Sequence, residues 1–198
     1  MTKEKRFKRR FPLRLVSLPN QAGMKKGKKG TFMDIQKKIE ELGLFLPACP
    51  KPLASYVPAN RIDNLIYVSG QLPSIKGDLG SYVGTVPSSM SPEVAARAAG
   101  LCLLNSIAAA MSVLQPGETL KLVQMQGFIQ SDPDFHEQAA ILNGASNLAV
   151  KIFERNGYHA RTAVGVSSLP KNAVVELSCI FQVIADESKF TGRNDWLL

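Results

Sequence analysis

Two histidines and three cysteines in 198 residues leave little material for a metal centre. Cys49, Cys102 and Cys179 stand far apart with no CxxC pair. His136 and His159 lack the clustered spacing of a structural or catalytic zinc site, so no metal is expected. An odd, scattered cysteine set also argues against a disulfide framework and fits a reducing cytoplasm. No uninterrupted run of eighteen apolar residues occurs, so no membrane span is expected. Near the N-terminus, Phe11-Pro12-Leu13-Arg14-Leu15-Val16 is too short and too charged for a secretory core segment.

Acidic residues are almost missing from the first thirty positions. Eleven Lys/Arg face only Glu4 there, a local balance of +10, so the rest of a chain of net charge +8 carries −2. The basicity belongs to an appendage on a slightly acidic body. Residues 1–32 mix Lys/Arg with Gly and Pro, show no sustained period, and are read as a disordered tail. Phosphate contacts are expected from this tail alone, so nucleic acid is not expected as the main partner. Organelle targeting by the tail is an alternative to a cytoplasmic protein, although one serine is few for such a segment. Met33 precedes the first periodic segment, which makes it a candidate start. A chain beginning there is expected to fold and act normally.

A hydrophobic content of 45% is enough for one buried core, and one domain is expected over 33–185, with a polar tail at 186–198. Ile35, Ile39 and Leu42 fall on one helix face, closed by Gly43. Tyr56-Val57-Pro58 reads as a short edge strand, because Pro58 cannot donate to a ladder. Leu65-Ile66-Tyr67-Val68-Ser69-Gly70 is a stronger strand. A Gly/Ser-rich loop over 73–87 follows. Ser91 and Pro92 then start a long alanine-rich helix reaching about Leu114, stopped by Pro116-Gly117. Residues 120–129 form a strand. Asp132-Pro133-Asp134 begins a second long helix to about Arg155, closed by Asn156-Gly157. Two further strands finish the body. The simplest arrangement is an α+β sandwich with its helices on one sheet face. Val164, Val166, Val174, Leu177 and Ile180 cannot all face those helices, so some are expected to pack on another subunit.

Two charges near the end point to chemistry. Arg161 lies in His159-Ala160-Arg161-Thr162-Ala163-Val164-Gly165-Val166. Glu176 follows in Leu169-Pro170-Lys171-Asn172-Ala173-Val174-Val175-Glu176-Leu177. Both flanks read as strands around a turn. Arg161 offers a planar fork for a small carboxylate. Glu176 offers a proton acceptor, or a donor if burial raises its pKa. The alternative is a structural ion pair between neighbouring strands. Alternation puts His159 on the Arg161 face of its strand, lining the cleft or turned from it. Ser69 lacks a His–Asp set and is expected to satisfy strand-end backbone groups rather than act as a nucleophile.

These segments resemble the Rid (YjgF-type) family of reactive-intermediate imine and enamine deaminases. Tyr67-Val68-Ser69-Gly70-Gln71-Leu72-Pro73 looks like the family's "SGQ.P" segment. Ala160-Arg161, Leu169-Pro170-Lys171 and Val175-Glu176 look like its C-terminal signature, and Asp134-Phe135 matches a third element. The resemblance spans roughly residues 34–185. It implies a chorismate-mutase-like fold with an antiparallel-rich mixed sheet and two long helices on one face. It also implies a homotrimer with clefts between subunits. Arg161 would hold the substrate carboxylate and Glu176 would position or activate water. Tyr56, Gly70, Asn143 and His159 would line the cleft. The leading helix, the longer spacing from Asp134-Phe135 to Asn143, and His159 in a position usually held by Pro mark a side branch.

The activity implied is hydrolysis of 2-imino or enamine acids, such as those derived from 2-aminoacrylate, to 2-keto acids and ammonia. No cofactor is expected, because the iminium carbon is already electrophilic. Two other readings compete. One is a non-catalytic trimeric module binding small keto or amino acids. The other is nucleic-acid chemistry, since some relatives are labelled ribonucleases or translation inhibitors.

Overall fold

The computed structural model describes residues 35–49 and 55–184. The basic tail at 1–32, the candidate start at Met33, part of the proline loop and the C-terminal tail at 186–198 lie outside the described residues.

In chain order the elements are α1 (Ile35–Glu41), β1 (Ala59–Ile62), β2 (Leu65–Gln71), α2 (Pro92–Met111), β3 (Thr119–Gln130), α3 (Gln138–Phe153), β4 (Ala160–Val166) and β5 (Val175–Ile184). This is the order read from the sequence. The five strands form one mixed sheet in the order β1-β2-β5-β3-β4. All neighbours are antiparallel except β3 and β4. That parallel pair follows from connectivity, because α3 carries the chain back across the sheet between them. β5, the last strand, enters the middle, so β4 and β5 are not neighbours despite the short turn joining them.

Both long helices cover one sheet face, α2 over β2 and β5, α3 over β3 and β4. Alternation is strict in β5: Val175, Leu177, Cys179, Phe181 and Val183 are buried toward the helices. Glu176, Ser178, Ile180 and Gln182 take the other face. Val174 and Leu177 thus belong to the core. Val164, in register with Phe128 opposite Glu176, and Ile180 lie on the open face.

Ser91 caps α2, its hydroxyl accepting from the Val94 backbone N–H at 3.4 Å, with Pro92 as the first helical residue. By length and composition α2 could cross a membrane. Here it is the core helix, buried from Ala98 to Gly100 and from Cys102 to Ala110.

Three boundaries differ from the sequence reading. The edge strand begins at Ala59, after Pro58 rather than through Tyr56-Val57-Pro58. Pro58 has no N–H for the ladder, and its carbonyl instead accepts from Ser69 N–H at 3.0 Å. α2 ends at Met111 and passes through single turns to Leu114. α3 starts at Gln138 rather than at Asp132, and it ends at Phe153, followed by a 3-10 turn over Glu154–Gly157. The Asp132 carboxylate accepts from Ser88 N–H at 3.2 Å and from its hydroxyl at 3.1 Å. Its own N–H donates to Val86 O at 2.8 Å. An aspartate used in this way anchors a loop and cannot cap the helix behind it.

The two long helices touch where side chains vanish. A Cβ on Gly144 of α3 would collide with the Ala96 carbonyl of α2 and lie 3.0 Å from its Cα. Gly144→Ala is therefore expected to cost about 1–3 kcal/mol through overpacking, read as a fall in Tm of several degrees. Adding Ala96→Gly should not restore it, because the obstacle is backbone.

Candidate active site

Arg161 sits second in the edge strand β4, in register with Met125 of β3, whose side chain is buried under α3. Register partners share a face, so the guanidinium is presented on the helix side. There α3 receives it. Arg161 Nη1 donates to Asn143 Oδ1 at 2.8 Å and to Ser146 Oγ at 3.0 Å, and Nη2 donates to Ala139 O at 3.4 Å. Ala139, Asn143 and Ser146 form one helix stripe at spacings of four and three. All three acceptors are neutral. Among the described residues no carboxylate pairs with Arg161, and its Nε–H edge stays open. An exposed, uncompensated guanidinium with one edge fixed and the other open suits a small carboxylate.

His159 shares this face, as alternation implies. Its Nδ1 lies 2.6 Å from Gly157 O and its Nε2 lies 3.2 Å from Ser146 Oγ. Burial lowers the imidazole pKa, and the Arg161 charge lowers it further, against the Gly157 hydrogen bond.

Glu176 belongs to a second cluster. It lies on the open sheet face, in register with Phe128. Its carboxylate crosses the backbone of Gly70: a Cβ there would overlap Glu176 Oε1. Any other residue at 70 would evict the carboxylate, which explains glycine in a strand end. Burial raises the Glu176 pKa. Ser69 ties the neighbouring segment down, its hydroxyl donating to Val57 O at 2.7 Å. This holds the chain beside Tyr56, whose ring is half exposed, alongside the Gly70 end of β2. Ser69 therefore does what the sequence suggested.

The structure thus gathers Arg161, Asn143 and His159 on one side of the sheet and Glu176 and Gly70 on the other. Within one chain the two groups do not meet, and no Arg161–Glu176 ion pair exists. His136 is exposed. Ser146, which links Arg161 to His159, escaped the sequence reading. The signal was there, three residues after Asn143 on one helical stripe. Gln130 escaped too. Buried at the end of β3, it accepts from Leu169 N–H at 2.8 Å and donates to Asn172 Oδ1 at 2.5 Å. It thereby pins the turn that leads into Glu176. In that turn Lys171 and Asn172 both adopt positive φ, 57° and 58°.

A family model described as Endoribonuclease L-PSP matches residues 47–183, and the chain belongs to this family, the YjgF/Rid group. Protein TCP17 of Trypanosoma cruzi is 35% identical over 154 residues, covering 75% of this chain and 94% of that one. The crystal structure of the Agrobacterium tumefaciens protein Atu1372 is 39% identical with a TM-score of 0.66, covering 75% of this chain and 91% of its own. A 2-iminobutanoate/2-iminopropanoate deaminase of Dermatophagoides farinae is 28% identical over 134 residues, covering 68% of this chain and 90% of its own.

Glu176 carries a stability signature. Its carboxyl pKa is raised on folding, so the folded state holds the proton more tightly than the unfolded chain. Its contribution is greatest below the unfolded carboxyl pKa and is lost as pH rises through the folded one. Glu176→Gln, which stays neutral, should match the parent Tm near pH 4 and exceed it at pH 8. Thermal melts at both values check this.

Proposed function

We propose that this protein hydrolyses reactive 2-imino acids and their enamine tautomers to 2-keto acids and ammonia. The observation that carries the reading is Arg161, held by Asn143 and Ser146 yet lacking a carboxylate partner among the described residues. A guanidinium so prepared fits the carboxylate of a small substrate. The half-buried Glu176, whose pKa burial raises, is the group that supplies a proton. The Dermatophagoides deaminase supports the same chemistry.

Water adds to the imine carbon, forming the C–O bond while the C=N electron pair moves to nitrogen. A proton from Glu176 neutralises that nitrogen, and the added water returns one of its own protons to the Glu176 carboxylate, leaving a neutral carbinolamine. The carbinolamine then collapses, the C–N bond breaks, and ammonia leaves with the proton from the hydroxyl. The imine carbon is intrinsically electrophilic, so holding substrate and water in place provides most of the acceleration. Since Arg161 and Glu176 occupy opposite faces of one sheet, the reading requires a cleft between copies. Arg161 of one subunit would face Glu176 of the next in a homotrimer. The apolar open face, where Tyr67 is 44% and Val164 38% exposed, favours such an association.

The test is turnover of enzymatically generated iminopyruvate, with 2-ketobutyrate binding measured in parallel by calorimetry and mass by light scattering. Arg161→Lys should lose nearly as much activity as Arg161→Ala, roughly ten- to hundredfold, because an ammonium cannot reproduce the fork. Glu176→Gln should bind the keto acid and turn over slowly. A fully active Arg161→Lys, or a monomer that turns over, overturns the proposal. Keto-acid binding by the parent without any turnover would favour a non-catalytic binding module.

A further inference from the structure

We infer that Ser146 and His159 form a directed hydrogen-bond relay that positions Arg161, making His159 a positioning residue rather than one that touches substrate. This rests on Arg161 being the carboxylate-binding group.

The direction of the relay follows from its ends. Gly157 O, 2.6 Å from Nδ1, can only accept, so Nδ1 carries the proton. In the neutral ring Nε2 is then an acceptor, and the Ser146 hydroxyl 3.2 Å away donates to it. With its proton committed, Ser146 Oγ turns its lone pairs to Arg161 Nη1 at 3.0 Å. The chain runs from guanidinium to hydroxyl to imidazole to carbonyl, and each donor meets an acceptor. Asn143 Oδ1 takes the other Nη1 hydrogen at 2.8 Å. Nη1 is therefore fully occupied, which leaves the Nε–H edge for an incoming carboxylate.

Protonation of His159 reverses the relay. Nε2 becomes a donor, competes with Arg161 for the serine oxygen, and sets a second cation beside the guanidinium. Burial and the Arg161 charge both oppose that state, so the neutral ring is the working form at neutral pH. Of the charged groups on neighbouring elements, Glu154 on the 3-10 turn is engaged by Lys38 at 3.3 Å. Arg161 is the one whose field acts on the imidazole. On α3, Lys151 lies past Ser146, and Arg155 follows on the 3-10 turn, its field acting on Lys121. Glu176 is on the far face of the sheet.

The test uses the full-length protein and 2-ketobutyrate as the probe, with calorimetric Kd from pH 5 to pH 8. His159→Gln keeps an acceptor for Ser146 but cannot titrate. At pH 8 it should bind like the parent. At pH 5 it should bind several-fold tighter than the parent. His159→Phe and Ser146→Ala should each weaken binding about tenfold at pH 8, and Ser146→Thr should restore it. Nitrogen NMR should report the Nδ1–H tautomer for His159. His136 is the only other histidine, so the signal is assigned by its loss in His159→Gln. Parallel pH profiles for parent and His159→Gln overturn the relay. So does a variant that binds progressively worse than the parent toward pH 5, because His159 would then be a direct cation in the site. If Arg161→Ala binds as tightly as the parent, the carboxylate-site reading fails and the relay with it. If Arg161→Ala abolishes binding while His159→Phe and Ser146→Ala, shown folded by circular dichroism, bind normally, the relay alone is wrong.

Discussion

The backbone approach of α3 to α2 at Gly144 and Ala96 fixes the geometry on which the rest of the site depends. A helix that meets its neighbour backbone to backbone cannot roll without collision. Gly144 turned to α2 and Ala145 buried in the core leave Asn143 and Ser146 on the flank toward β4. The same contact sets the height of α3 over the sheet. At Gly127 a Cβ would strike Leu142 Cδ1 at 2.6 Å, so the strand beneath is also reduced to backbone. Two close approaches in one layer leave little freedom for the residues that hold Arg161.

Two arginines in the fold show how the surroundings divide one residue type between uses. Arg61 in β1 meets Glu118 through both fork nitrogens, at 2.7 and 2.8 Å. That fork is consumed, and the pair ties the edge strand to the loop before β3. Arg161 is held by an amide oxygen, a hydroxyl and a backbone carbonyl, none of which neutralises it. Neutral acceptors fix the orientation of a guanidinium and leave its charge unspent. That combination separates a structural arginine from one available to an anion.

Element order was legible in the sequence because each element has a local cause: Ser91-Pro92 at a helix start, alternation in β5, and glycine or proline at the breaks. The sheet order was less so. Nothing local in 160–184 says that β5 will enter between β2 and β3, since that placement is decided by which buried faces match. The edge strand was misplaced because β1 reads Ala-Asn-Arg-Ile, too polar for a strand signal, while the apolar Tyr56-Val57 beside it sits exposed in a loop. Arg161 and His159 were found together because strand alternation is a local rule, whereas Asn143 came from the family resemblance. Ser146 was missed because a serine inside an alanine-rich helix announces nothing until its partners on β4 are known.

The separation of Arg161 from Glu176 has a physical origin in the sheet itself. The two residues are fifteen positions apart, but β3 stands between their strands, and register puts them on opposite faces. A pleated strand cannot turn one side chain through the sheet without reversing every neighbour in its register. Lengthening the turn at Pro170–Asn172 would not change this, because Gln130 and the β3–β5 ladder fix where β5 begins. Under the proposed chemistry the reacting pair must therefore come from two copies, each giving one face. A sheet that is dry beneath its helices and apolar in patches on its open side meets both needs. The helix face orients the guanidinium, and the open face both buries the carboxyl group enough to raise its pKa and offers the surface on which a neighbour can dock.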